Sequence, residues 1–211
     1  GEPTDRRLTS DAGAEVLNGK LDWVYQEEVY GRGKYRAYWW SPDSKQLAYL
    51  RLDEKGVPRY TLVDDISYHP EVEVYPYPKA GDPNPTVRLG IAPVGGGETR
   101  WVDLAKYAGG DFLIVDVASA PDGRLSFQVQ DREQPWLDLN VPDPPTGSVR
   151  TLLRETTKAW VEPQGSPRWL EDGSFLWLSE RTGFKHLYRY AGDGTLLRPL
   201  TQGKWEVRTV Q

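Results

Sequence analysis

Gln26-Glu27-Glu28 is the most concentrated charge outside any repeat, and it lies within Leu21-Asp22-Trp23-Val24-Tyr25-Gln26-Glu27-Glu28-Val29-Tyr30-Gly31. Neighbouring residues of a strand point to opposite faces, so the two carboxylates converge on one ligand only if the stretch is helical or irregular; a single helical turn suffices. Converged carboxylates repel each other and raise one pKa unless a cation lies between them. A primary ammonium suits that place, with one positive charge and three donors. Adjacent glutamates also make ordinary solvated surface, since Glu is seldom buried unpaired, and the residues alone leave both readings open. Tyr25 and Tyr30 flank the pair, either as pocket walls or as core.

Other chemistry is sparse. No Gly-x-Ser-x-Gly elbow occurs, and a Ser, Asp, His order in a strand-turn-helix context is missing, so no catalytic residue is expected within the chain. His69 and His186, the two histidines, read as structural because no serine–acid constellation surrounds either. Gly95-Gly96-Gly97 is followed by Glu98, which suits a hairpin tip and not a phosphate loop. The acidic turns carry one or two carboxylates each, too few to cage calcium. Neither metal nor cofactor is expected. Trp39, Trp40, Trp169 and Trp177 could stack on sugars or peptides, but in strands of this kind they read first as packing between sheets.

The elements that must position the glutamates announce themselves as a repeat. Ser41-Pro42-Asp43-Ser44 leads into Gln46–Leu52, Ala120-Pro121-Asp122-Gly123 into Arg124–Val129, and Leu170-Glu171-Asp172-Gly173 into Ser174–Ser179. Asp-Gly and Asp-Ser tolerate positive φ and bond the neighbouring backbone, which suits tight hairpins. The flanks Ala37–Trp40, Phe112–Val117 and Ser166–Leu170 include near-continuous apolar runs, as expected of strands covered on both faces. Asp122 and Asp172 are 50 residues apart, about one four-stranded propeller blade. The 79 residues from Asp43 to Asp122 leave an excess that falls on Tyr68 through Pro85, where Tyr75-Pro76-Tyr77-Pro78 reads as an inserted arm kept from central strands by its prolines. Outer strands are expected at Arg59–Val63 with Val87–Ile91, Trp136–Leu139 with Ser148–Leu153, and His186–Tyr190 with Leu196–Leu200. The fold class is therefore all-β: a partial β-propeller of about three four-stranded blades over 36–104, 111–155 and 165–201, with the arm over 68–85.

Composition agrees. The 211 residues hold 26 basic and 31 acidic side chains, for a net charge of −5, which argues against a nucleic-acid arm or a polybasic membrane anchor. Hydrophobic residues make up 38%, and no apolar run approaches a membrane helix, so a soluble chain is expected. Nine Trp, twelve Tyr, 21 Gly and 17 Pro suit short strands and tight turns. The absence of Cys removes disulfides and thiolate sites. The absence of Met makes Gly1 a product of processing or trimming, so the chain is expected to be a segment, and its compartment (periplasmic, secreted or cytoplasmic) stays open.

Several stretches together resemble the propeller domain of the dipeptidyl peptidase IV family, in the prolyl oligopeptidase group of serine peptidases. They are Asp22-Trp23-Val24-Tyr25-Gln26-Glu27-Glu28-Val29-Tyr30 followed by Trp39-Trp40-Ser41-Pro42-Asp43, Tyr75-Pro76-Tyr77-Pro78-Lys79-Ala80-Gly81 with Asn84-Pro85-Thr86-Val87, Glu180-Arg181-Thr182-Gly183-Phe184-Lys185-His186-Leu187-Tyr188, and Gly203-Lys204-Trp205-Glu206-Val207. The resemblance implies an eight-bladed parent of bacterial type whose α/β-hydrolase domain, with the catalytic triad, follows residue 211. It implies that Glu27 and Glu28 hold the free N-terminus of a peptide substrate while X-Pro or X-Ala dipeptides are released, with the segment alone inactive. An arginine partner of the glutamates is implied upstream of Gly1. The segment is expected to help gate the enzyme, and the arm, through Tyr68, Tyr75, Tyr77 and Pro78, to help form a homodimer. Val161-Glu162-Pro163-Gln164 departs from the family's pattern near the substrate pocket. The rival reading is a non-catalytic propeller that binds a protein or glycan.

Overall fold

A computed structural model describes residues 5–210. Contacts divide the chain into two compact units, one running through Tyr38 and resuming at Leu47–Trp101, the other made of Trp39–Gln46 and the chain from Val102 onward.

Along the chain β1 (Val16–Asn18) is followed by a short helix, Tyr25–Val29, and then by β2 (Tyr38–Trp40), which enters the Ser41–Gln46 turn leading to β3 (Gln46–Asp53); residues 39–46 count with the second unit and the rest with the first. Ser44 adopts a φ of 57° in that turn, and Ser41 N donates to Gln46 O at 2.9 Å. β1 runs antiparallel to β3 with Val16 opposite Asp53 and Asn18 opposite Arg51. Next come β4 (Arg59–Asp64), β5 (Glu71–Pro76), β6 (Thr86–Pro93) and β7 (Arg100–Trp101), and the sheet order is β1-β3-β6-β7. Leu50, Leu52 and Leu89 fill its core. Gly90 lets β6 pack closely, because a Cβ there would come within 2.8 Å of Thr99 and 2.9 Å of the Tyr49 ring and force one of them to move.

β4 and β5 leave this sheet and pair only with each other, in register from Arg59–Pro76 to Asp64–Glu71. This corrects the strand assignment: Arg59–Val63, expected as an outer blade strand, is one half of the arm. The projecting hairpin therefore begins about ten residues before the expected 68. Its strand composition was legible, but its partner was not, because β-propensity says nothing about which edge a strand joins.

The second unit holds two four-stranded antiparallel meanders. The first is ordered β11-β10-β9-β8, from β8 (Phe112–Ser119), β9 (Leu125–Asp131), β10 (Trp136–Pro142) and β11 (Val149–Thr156). The second is ordered β12-β13-β14-β15, from β12 (Arg168–Trp169), β13 (Phe175–Ser179), β14 (His186–Tyr190) and β15 (Leu196–Pro199). Gly123 and Gly173 close the β8–β9 and β12–β13 turns at φ of 84° and 78°, as the Asp-Gly signals require. Leu137, Leu139, Leu152, Phe175, Trp177 and Tyr190 build a shared core. The architecture is a partial β-propeller, and the second unit's two blades are four-stranded.

Buried polar residues tie the second unit together. Asp138 accepts from Arg154 at 2.6 and 2.8 Å and from the Tyr107 hydroxyl at 2.9 Å. Asn140 donates to that same hydroxyl at 2.8 Å, and the Lys106 ammonium donates to Asn140 Oδ1 at 2.9 Å. This network clamps the short helix Ala105–Tyr107, which precedes β8, onto β10 and β11. Gln130 donates to Val161 O at 2.6 Å and Gln128 to Gly165 O at 2.8 Å, so two buried amides fix both ends of the Val161–Gln164 departure.

Candidate functional site

The segment that carries Glu27 and Glu28 is helical, as convergence demands, and its turn is wide. Gln26 N reaches back four residues to Asp22 O at 3.0 Å, but Tyr30 N reaches back five, to Tyr25 O at 2.8 Å. Such a π-type turn holds one residue more than an α-turn and is frequent at functional sites. Asp22 starts it: its carboxylate accepts from Val24 N at 3.0 Å and Tyr25 N at 3.1 Å, satisfying amides that have no partner inside the helix. Burial pushes the Asp22 carboxyl above its ordinary value. Beneath the turn Leu21, Val24 and Tyr25 are buried, with Tyr25 0% exposed.

For Tyr25 the sequence left pocket wall and core both open, and the structure buries its side chain. It is the core anchor of the turn, with the Tyr30 ring stacked against it at 6.3 Å. Tyr30 is half-buried above it.

Glu27 and Glu28 stand on the outer side, Glu27 partly buried and Glu28 exposed. The two are not equivalent. Arg32 grips Glu27 with Nε at 2.8 Å from Oε1 and 3.0 Å from Oε2, and with Nη2 on Oε1 as well. The guanidinium holds the Glu27 carboxyl below the usual carboxylate range, and Glu27 raises Arg32 in turn. Among the described residues no hydrogen bond or ion pair holds Glu28, although its charge acts on Arg32 through space. The sequence reading missed Arg32. Its signal was present in Gly31-Arg32-Gly33, whose glycines adopt φ of 100° and 83° and fold the chain back toward the acids.

The arm reaches the same segment. Tyr77, expected on a partner surface, packs its ring on Trp23 at 4.2 Å, with Tyr60 and Tyr75 at 5.6 and 6.1 Å. It is thus the hub of the arm's base, with Tyr75 and Pro78 half-buried beside it. Tyr68, at the tip, is 94% exposed and meets the His69 ring edge-on at 4.9 Å.

A second missed group is Glu54, buried just after β3. Burial, followed by the charge of Asp22, pushes its carboxyl up to about 7. His186 is buried with both ring nitrogens engaged, Nδ1 with Thr201 Oγ1 at 3.1 Å and Nε2 with Gly203 O at 2.9 Å. Trp169 and Trp177 are buried, Trp177 donating to Glu155 at 3.0 Å, while Trp40 is half exposed. No helix among the described residues is long and apolar enough to cross a membrane.

Residues 1–211 match the model of the dipeptidyl peptidase IV (DPP IV) N-terminal region. The chain is 31% identical over 220 residues to dipeptidyl peptidase 4 of Trichophyton tonsurans, covering 97% of this chain and 28% of that protein. It is 29% identical to a probable dipeptidyl peptidase 4 of Aspergillus flavus, covering 98% and 29%. Among solved structures, dipeptidyl peptidase 4 of Porphyromonas gingivalis superposes with a TM-score of 0.85 at 32% identity, over 97% of this chain and 29% of that one. A putative dipeptidyl aminopeptidase IV of Bacteroides ovatus superposes with a TM-score of 0.80 at 25% identity, over 98% and 31%. The chain thus spans under a third of the length of these relatives, which are both fungal and bacterial and do not support the expected bacterial type.

Proposed function

The chain belongs to the family of the dipeptidyl peptidase IV N-terminal region, and from that premise we propose that it is the propeller portion of a serine exopeptidase that releases N-terminal X-Pro and X-Ala dipeptides. In this reading the segment supplies the anchor for the substrate's free amine, and the nucleophile belongs to a hydrolase domain C-terminal to it. The observation that carries the reading is the wide turn at Tyr25–Val29, which brings two adjacent carboxylates to the outer side of one rigidly seated helical segment.

The chemistry follows from fixed distance. A carboxylate held on a segment rooted by Tyr25 and capped by Asp22 loses little further freedom when it binds an ammonium, so its charge-assisted hydrogen bonds go into positioning. An amine held at a set distance from a nucleophile selects the second peptide bond, whereas a blocked N-terminus leaves the carboxylates facing a neutral amide. The arm is proposed as a dimer contact, supported by the exposure of Leu62, Val63, Ile66, Tyr68, Val72 and Val74 on one hairpin.

The test is dipeptide release by the full-length protein from a chromogenic Ala-Pro substrate and its N-acetylated twin. Cleavage of the free amine alone, lowered about 100-fold or more in kcat/KM by Glu28→Gln, is the expected result, because a lost charge-assisted contact is worth a few kcal/mol. Cleavage of both substrates, with Glu28→Gln silent, sinks the anchor reading.

A further inference from the structure

We propose that Arg32 sets the charge balance of the glutamate pair and so selects substrates by the charge of their first side chain, disfavouring a basic residue and favouring an acidic one. This rests on the reading of Glu27 and Glu28 as amine ligands.

Both Glu27 oxygens already face the Arg32 guanidinium, Nε reaching each of them and Nη2 joining Oε1, in a charge-assisted pair. Glu28 is the carboxylate left open among the described residues. Two glutamates and one arginine sum to one negative charge, the complement of one ammonium. A substrate with a Lys or Arg first residue brings a second positive charge into a site whose remaining acid is already engaged, and Arg32 repels it. An acidic first residue meets a guanidinium with spare donors, since Arg has five N–H groups. The Arg32 side chain is 84% exposed and the Glu27 side chain 17%, so the arginine is the reachable member of the pair. An exposed ion pair is held weakly enough for the arginine to turn toward an incoming carboxylate.

The backbone directs this side chain. Gly31 and Gly33 both sit at positive φ although a Cβ on either would meet open space, so conformation and not crowding calls for glycine there. Lys34 N closes the turn onto Gly31 O at 3.1 Å.

The experiment uses the full-length protein with Glu-Pro, Ala-Pro, Lys-Pro and N-acetyl-Ala-Pro chromogenic substrates. The unsubstituted enzyme is expected to prefer Glu-Pro to Lys-Pro in kcat/KM, and Arg32→Ala to narrow that ratio by roughly tenfold, the size of one unit charge acting across a few ångströms of wet surface. The change is expected in KM, with kcat nearly constant, and to fade at high salt. Arg32→Lys keeps the original ratio, and Gly31→Ala, which retains the charge but redirects it, shifts the ratio the same way as Arg32→Ala. An equal loss on all three free-amine substrates, or an unchanged ratio, overturns the proposal. If N-acetyl-Ala-Pro is cleaved as well as Ala-Pro, the amine reading itself fails; a strict free-amine requirement with an unchanged ratio sinks only the role of Arg32.

Discussion

The arm and the two central strands of the second unit's first meander, β9 and β10, invert each other's use of side chains. Along β4 and β5 Leu62, Val63, Val72 and Val74 face solvent, whereas β9 and β10 bury Gln128, Gln130, Asp138 and Asn140. Both are strands by composition and by hydrogen bonding, so the difference lies in what covers them. A two-stranded hairpin has no layer behind it and leaves both faces wet. A central blade strand is covered on both faces, and its polar residues survive there because each finds a partner: Asp138 three donors, Gln130 a carbonyl. Under the proposed dimer reading, apolar exposure on the arm is a surface for association, whereas polar burial in the blade is a fastening.

The largest way to break this comparison is Asp138→Ala. It strips Arg154 and the buried Tyr107 hydroxyl of their acceptor together, so the loss is expected near 3 kcal/mol, read as a lower denaturation midpoint. If the midpoint is unchanged, the blade's buried polar network is not a fastening.

Glu54→Gln sharpens the contrast with an acid that is buried and poorly compensated. Asp22 and Glu15 push its carboxyl up and Arg59 and Lys20 pull it down, but burial dominates and the value stands at about 7 against an ordinary 4.5. Since the neutral acid is the form that suits the fold, its stabilising contribution is full below pH 4.5 and is lost as pH rises through 7. The Gln variant is therefore expected to be more stable by about 2 kcal/mol at pH 8, with no gain near pH 4.5. Parallel stability curves for both proteins across that window contradict the buried-acid account.

The smallest effect belongs to the arm. Val72 is exposed and pairs across the hairpin with Val63, so Val72→Lys is expected to change folding stability by no more than about 0.5 kcal/mol while weakening self-association of the full-length protein in light scattering. A large folding defect instead shows that the hairpin is part of a core.

The sequence was readable where local chemistry dictates local structure. Asp122-Gly123 and Asp172-Gly173 become the turns they encode, and the glutamate segment takes the helical form that convergence of its two acids would need. It was unreadable where partners are distant. Arg59–Val63 carries no mark of the strand it pairs with, and Asp53-Glu54-Lys55-Gly56 looks like a solvated turn although Glu54 is buried. Asp22 was legible in principle as an acid opening a helix. Arg32 lies five residues beyond Glu27, outside the three- and four-residue spacings at which helical ion pairs are sought, and only the widened turn and the two glycines close the gap.

The widened turn has a consequence for comparing chains by their gaps. Each helical residue advances the direction of its side chain by about 100°. Removing Gln26, between Tyr25 and the acids, would restore an ordinary α-turn and leave Asp22, Val24 and Tyr25 in place, yet it would swing the side chains that follow it round the segment. A one-position deletion here, minor in any alignment score, re-aims the segment's outer side chains without disturbing the residues that seat it.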